Sequence, residues 1–167
     1  MKIGKTDKKG FTLIEVIVTL VLVSITAAMA GMWIVSVANG YIFAKMNMNT
    51  TQKAQLAMTR LAKEFKAISA VTAWPAGGIT YTRADITSGS VAGQTVLLSG
   101  SVLQLNGNTL TDGVSAFTLA YCDNVDSTGC PPTWTAATSR FIEITLTLTG
   151  ANNTTSIFTK RVAPRNL

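Results

Sequence analysis

The sequence predicts an α+β protein in which one long N-terminal α-helix packs on a mostly antiparallel C-terminal β-sheet domain. Three observations lead to this prediction. Residues 11–38 are almost entirely apolar, with Glu15 as their single charge. No proline interrupts residues 11–74, and apolar side chains recur every three or four residues in the second half of that stretch. After Pro75, short segments of alternating apolar and polar residues are separated by Gly and Asn turns, which is typical of strands.

The apolar stretch 11–38 is long enough to cross a bilayer, which takes about 20 mostly apolar residues. Four lysines precede it, and Lys45 is the first basic residue after it. Because cytoplasmic flanks carry the excess of Lys and Arg, we expect a cytoplasmic N-terminus and an external C-terminal domain. The prediction is therefore a cytoplasmic leader at residues 1–10, followed by the membrane-spanning half of the helix.

The second half of the predicted helix, residues 39–74, is amphipathic. Since polar residues occupy the rest of its circumference, we expect its apolar face to pack on the chain's own C-terminal domain. Trp74-Pro75 predicts the end of the helix, because proline cannot continue it. The apolar face consists of Ala54, Ala57, Met58, Leu61, Phe65 and Ile68.

Residues 75–167 are predicted to form the β-rich domain. The turn residues Asn106-Gly107 predict a hairpin, and residues 150–153 predict a second one between the last two strands. The segments most typical of strands are 95–99, 102–105, 116–122, 141–149 and 154–162. Alternation within them predicts a core of Phe117, Leu119, Tyr121, Ile142, Ile144, Leu146 and Leu148.

The formal charge of +6 does not by itself predict nucleic-acid binding. The first ten residues hold four lysines against one aspartate, a net +3, and positive charge there orients a membrane segment. The remaining ten cations and seven carboxylates, also a net +3, are too dilute to predict a phosphate-binding surface. We therefore expect no nucleic-acid partner.

The two cysteines, Cys122 and Cys130, are close in sequence and precede Pro131-Pro132. This arrangement suits a disulfide that closes a small loop in an oxidising compartment. Two unlinked thiols in a cytoplasmic protein remain the alternative. A zinc site is disfavoured, because two thiolates with no histidine would leave half of the coordination sphere empty.

The sequence contains no recognisable enzyme site. Histidine, the common general base and metal ligand, is absent, as are the G-x-S-x-G, H-E-x-x-H and phosphate-loop motifs. Asp123, Asn124 and Asp126 could offer side-chain oxygens to calcium, but without the regular spacing and closing glutamate they are interpreted as turn formers. We expect no enzyme, metal or cofactor. A membrane-anchored hydrolase would require acidic side chains, such as Asp85, Asp112 and Glu143, to meet in one cleft.

The segment KKGFTLIEVIVTLVLVSI, residues 8–25, resembles the class III signal of type IV prepilins and type II secretion pseudopilins. In that family a prepilin peptidase on the cytoplasmic face cuts after the glycine and methylates the new N-terminus. The resemblance implies cleavage between Gly10 and Phe11, N-methylation of Phe11, and an assembly role for Glu15, Phe11 and Thr12. It also implies three kinds of partner: prepilin peptidase, an inner-membrane assembly platform, and other pilin or pseudopilin subunits.

Glu15 is costly where it stands, since a charged residue at the centre of a membrane helix costs about 2.5–3.5 kcal/mol to insert. Cleavage after Gly10 would create an amine on Phe11, about 6 Å from Glu15 along a helix. A neighbouring subunit's amine could pair with this carboxylate, whereas a misplaced neighbour would leave a charge stranded. The hypothesis is that the pair sets the register between subunits.

Two further features indicate which kind of subunit within this family the chain resembles. Many major pilins carry a proline near position 22 of the mature chain, where this chain has Met32 beside Gly31. Residues 110–123 and 158–166 are similar to larger minor pilins and to J-type minor pseudopilins. The implied protein is a low-abundance priming subunit, located first in the bacterial inner membrane and then in a pilus or pseudopilus.

Conventional secretion is the alternative interpretation of the N-terminus. Ala28-Met29-Ala30 fits the A-x-A pattern of signal-peptidase sites, so the mature chain would be a secreted or periplasmic binding module beginning at Gly31. This interpretation places the charge of Glu15 early in the apolar region. It also requires that region to exceed its usual length of about 7–15 residues.

Overall fold

The computed structural model describes residues 10–165. Residues 1–9, which hold nearly all of the predicted leader, and residues 166–167 lie outside the described residues. The chain divides into two compact units, the first ending at Ile42 and the second beginning at Phe43. Helix α1 (Leu13–Lys66) runs through this boundary without interruption. Among the described residues, α1 is the one helix long and apolar enough to span a membrane.

The helix ends at Lys66, so the predicted continuation to residue 74 is wrong. Residues 68–73 form strand β1 (Ile68–Ala73), which pairs antiparallel with β2 (Gly78–Asp85). Half of β1 is β-branched, and such side chains pack well on a pleated surface. The carbonyl of Lys66 accepts the backbone N–H of Arg165 at 3.0 Å, which satisfies one of the last helical carbonyls.

The five-stranded sheet is antiparallel, with strand order β1-β2-β3-β4-β5. Its remaining members are β3 (Gly89–Ser99), β4 (Val102–Leu105) and β5 (Asn108–Thr111). The predicted hairpin between β4 and β5 is confirmed. Asn106 and Gly107 both have positive φ, 53° and 77°, as tight hairpin turns of this kind require.

The three-stranded sheet, of order β6-β7-β8, is also antiparallel. It consists of β6 (Val114–Cys122), β7 (Phe141–Thr149) and β8 (Thr155–Val162). The predicted hairpin between β7 and β8 is confirmed, and a 3₁₀ turn at Ala151–Asn153 joins them. The strands thus form two sheets where the sequence predicted one, and Gly113, with φ of 69°, separates β5 from β6.

The core of the second unit combines the apolar face of α1 with both sheets. The predicted helical face is confirmed: all six of its residues are buried, although Ile68 belongs to β1. The predicted core of β6 and β7 is also confirmed, with Leu119 partly buried. Phe65 meets Tyr81 edge-on, with 5.9 Å between ring centroids, which joins the helix to β2.

Candidate processing and assembly site

The N-terminal end of α1 is capped by Thr12. Its Oγ1 accepts the backbone N–H of Glu15 at 3.4 Å, and its carbonyl accepts the same N–H at 3.1 Å. Thr-x-x-Glu at a helix start is the capping-box sequence, which explains why α1 begins at Leu13. Phe11 therefore lies before the helix, and the helical rise alone does not set its separation from Glu15.

Gly10, Phe11, Thr12 and Glu15 are all exposed. The peptide bond after Gly10 is consequently open to a protease. A Cβ atom built on Gly10 would meet nothing within 4 Å, so packing among the described residues does not require glycine at this position. A requirement for glycine there would have to come from a molecule that approaches the backbone. The roles of these four residues in processing and assembly stay predictions.

The part of α1 that follows this site exposes a long apolar surface. Every residue from Leu13 to Met46 is exposed, and the most apolar 18-residue stretch of the helix contains no buried residue. Soluble monomers rarely expose contiguous apolar patches of more than a few hundred Å². This segment therefore needs a bilayer or neighbouring helices to cover it.

A family model described as the prokaryotic N-terminal methylation motif matches residues 5–31. The match supports a type IV pilin-like protein with a class III signal. No curated protein and no solved structure matches the chain. A class III signal implies processing by prepilin peptidase and assembly with other pilins, and the apolar helix that contains the matched segment fits membrane anchoring. The match includes Gly10, Phe11, Thr12 and Glu15.

The alternative cleavage site after Ala30 lies inside uninterrupted α1 and inside the matched segment. The match therefore favours the class III signal over a conventional one. Gly31 lies within the uninterrupted helix, and a Cβ atom there would meet nothing within 4 Å.

The predicted disulfide between Cys122 and Cys130 is present, with 4.9 Å between the two Cα atoms. Sequence reasoning missed Arg161, which holds the enclosed loop. Its Nε donates to Glu143 Oε2 at 2.6 Å, its Nη2 donates to the Ser127 carbonyl at 2.7 Å, and its Nη1 donates to the Val125 carbonyl. Because Glu143 and Arg161 are direct partners in the β7–β8 register, the hairpin pattern could have revealed this ion pair.

The oxygen-bearing residues of the Cys loop bond to each other and to the backbone. Asp123 Oδ1 accepts the Ser127 hydroxyl and the Asn124 N–H, which lower the Asp123 pKa. Asn124 Oδ1 accepts the Asp126 N–H at 2.9 Å. These are local turn bonds. Within residues 10–165, no group of three or more His, Cys, Asp or Glu is placed to hold a metal ion.

The three carboxylates that a hydrolase would require do not converge. Each is held by a different cation, at 3.1, 2.7 and 2.6 Å respectively: Arg83 for Asp85, Lys53 for Asp112 and Arg161 for Glu143. The hydrogen bond from Lys53 lowers the pKa of Asp112, while the N–H groups of Thr87 and Ser88 lower that of Asp85. These carboxylates act as ion-pair partners within the second unit, and the Asp85 pair lies within β2 itself.

Proposed function

We propose that this chain is a minor pilin or pseudopilin, a structural and priming subunit of a type IV pilus or type II secretion pseudopilus. Prepilin peptidase cuts it between Gly10 and Phe11 and methylates Phe11, and the subunit then assembles through the N-terminal part of α1. The observation that carries the proposal is the methylation motif followed directly by an exposed apolar helix.

The minor rather than major role is supported by residues 31–32. Where many major pilins have a proline, Gly31 and Met32 lie in continuous helix. The similarity of residues 110–123 and 158–166 to larger minor subunits supports the same role. In the proposed orientation the N-terminus is cytoplasmic and the β-rich domain periplasmic, which the Cys122–Cys130 disulfide supports because disulfides persist in oxidising compartments.

Glu15 sets the register of assembly in this proposal. The structure places its side chain at the exposed N-terminal turn of α1, with no ion pair among the described residues. After cleavage, the methylated amine of Phe11 on a neighbouring subunit supplies the missing cation. The pair stabilises the correct stagger chiefly because an incorrect stagger leaves a charge unpaired in an apolar setting.

The test replaces Glu15 by Ala and by Gln and uses Thr19→Ala, one helical turn onward and also exposed, as the matched control. We expect both Glu15 variants to insert and be cleaved normally but to lose incorporation into the pilus or pseudopilus fraction by about tenfold or more, since stranding one charge of a buried pair costs several kcal/mol. Thr19→Ala should assemble normally. If Glu15→Gln assembles like the wild type, the register hypothesis is wrong.

A further inference from the structure

The cations of the second unit are concentrated on α1. Its helical residues 43–66 carry five cations and one carboxylate, Glu64, whereas residues 67–165 carry five of each and are neutral overall. These cations are therefore sparse along the sequence but concentrated on one helix of the folded structure. The five cations, all exposed, are Lys45, Lys53, Arg60, Lys63 and Lys66.

Four of these cations, all except Lys45, lie along one side of the helix with an apolar side chain. Lys53, Leu56, Arg60 and Lys63 follow one another at steps of three and four residues, the spacing of neighbours on a helix surface. Leu56 is 72% exposed. We call this set, with Lys66, the basic face. It lies beside the buried face of the same helix, so it stays on the surface of the domain.

Little within the chain neutralises the basic face. Among the described residues Lys53 is its one member with a salt bridge, to Asp112 at 2.7 Å. Glu64, the one carboxylate on this part of the helix, is taken by Arg83. The ends of helices commonly carry Lys that complements the helix dipole, which accounts for Lys63 and Lys66 but not for Arg60.

Two shallow cavities meet at Leu56. They have volumes of about 390 and 290 Å³, and both are lined by Leu56, Thr109 and Leu110. The surface thus combines an apolar centre, a groove along edge strand β5 and a charged rim. This is the composition of a protein–protein interface, in which apolar side chains lie at the centre and polar ones around them.

We propose that the basic face binds an acidic surface on a different pilin-like subunit, with Leu56 at the centre of the contact. This inference rests on the proposed function, because it takes the partner from the same assembly. A second copy of this chain fits poorly, since its second unit has the same positive excess. Its carboxylates without an ion pair among the described residues of that unit are Asp123 and Asp126.

Nucleic acid and an anionic lipid surface are alternative partners for a set of cations. Neither accounts for an exposed leucine at the centre of the set or for the grooves beside it. Backbone phosphates are bound by cations and backbone N–H groups, and bases by stacking on aromatic rings, of which the basic face has none. An acidic protein surface accounts for both the charges and the apolar centre.

The experiment uses the full chain expressed in cells with its assembly system. A photoreactive phenylalanine analogue replaces Gln52, an exposed neighbour of Lys53 and Leu56; the same probe at Ile157, exposed on β8, is the control position. The result expected is a crosslink from position 52, but not from position 157, to a subunit that carries its own methylation motif and a net negative domain.

Charge reversal then tests whether the cations of the basic face are responsible for the contact. Arg60→Glu with Lys63→Glu should reduce the crosslink by at least about tenfold, because each exposed ion pair contributes a few-fold and reversal makes the contact repulsive. The matched control, Arg140→Glu with Lys160→Glu, makes the same change in net charge at exposed positions elsewhere and should leave it unchanged. In detergent extracts, salt of about 1 M should weaken the complex, as the screening length falls to about 3 Å.

Several results would overturn the inference: a crosslink to a second copy, a crosslink that both reversed pairs leave intact, or no crosslink in cells where the chain is processed and assembled. Binding of the purified chain to DNA or to phosphatidylglycerol vesicles that Arg60→Glu with Lys63→Glu abolishes, without a crosslinked subunit, would also overturn it. Formation of the Cys122–Cys130 disulfide in each variant verifies that the domain folds. Failure of cleavage at Gly10, by contrast, would refute the proposed function itself.

Discussion

Helix α1 has two parts that differ in what stabilises them. From Leu13 to Met46 every side chain is exposed, most are apolar, and the two charges are Glu15 and Lys45. From Asn47 onward the helix is part of a folded domain: the Asn47 Oδ1 accepts the Ala151 N–H at 3.0 Å, and one helical face is buried. The first part depends on surroundings that the chain does not supply, and the second depends on the chain's own strands.

This difference shows that one continuous helix can serve two purposes. An isolated helix gains little stability from propensity alone, so most of its stability must come from burial of an apolar face. Residues 54–65 bury theirs against the β-rich domain, whereas the apolar residues of the first part remain available to a bilayer or to other subunits. Substitutions in the two parts should therefore have separable consequences.

The largest difference in effect between the two parts should appear when one large apolar side chain is truncated in each part. Phe65→Ala removes a fully buried ring and should reduce the free energy of unfolding of the domain by about 3–5 kcal/mol, through lost burial and a cavity. Leu22→Ala, at an exposed position of the first part, should leave that free energy unchanged. Denaturant unfolding of the full chain in detergent, followed by near-ultraviolet circular dichroism, measures both. An equal loss of unfolding free energy in both variants would mean that the two parts are not independent.

A smaller effect is expected from the ion pair that joins the second part of the helix to the end of β5. Lys53 lowers the pKa of Asp112. A carboxyl group whose pKa is lower in the folded state stabilises the fold above its unfolded pKa of about 3.9, and this stabilisation is lost as the pH falls through the folded pKa.

In Lys53→Ala we therefore expect the Asp112 pKa to rise toward about 3.9 and stability to depend less on pH below about 4. Carboxyl chemical shifts followed by NMR during an acid titration measure the pKa. Lys45→Ala, which removes an exposed cation with no ion pair within residues 10–165, is the control. An unchanged Asp112 pKa in Lys53→Ala would show that the pair does not form in solution.

The smallest effect concerns Gly31 in the first part. A Cβ atom at this position would meet nothing within 4 Å, and alanine is favoured over glycine in a helix by about 1 kcal/mol or less. Gly31→Ala should slow amide hydrogen exchange in the surrounding helical turns without changing the unfolding of the domain. Faster exchange there would mean that glycine is needed for contacts with the membrane or with other subunits.

How far the sequence predicted this structure differs between local and distant features. The apolar stretch, the buried face containing Leu61 and Phe65, and the β7–β8 hairpin follow from periodicity, which is a property of neighbouring residues. The end of α1 at Lys66 does not, because it depends on the pairing of β1 with β2 and on a bond from Arg165. The division into two sheets likewise depends on contacts between distant segments.

The candidate site shows the same division. Its motif is contiguous, so roles for Gly10, Phe11 and Glu15 could be predicted from the sequence, and they stay predictions, whereas Thr12 proved to be the helix cap. The basic face could not be identified, because its cations are separated by three to seven residues in the sequence and become adjacent only on the helix. In the total charge of the sequence, these cations are combined with residues 67–165, whose charges cancel.

The most direct test of the proposed function is the N-terminus of the mature protein in the membrane. Intact-mass measurement and N-terminal peptide sequencing of the membrane fraction would identify it. We expect a chain that begins with N-methylated Phe11 and retains all of α1. A mature chain beginning at Gly31, recovered in the soluble fraction, would contradict it.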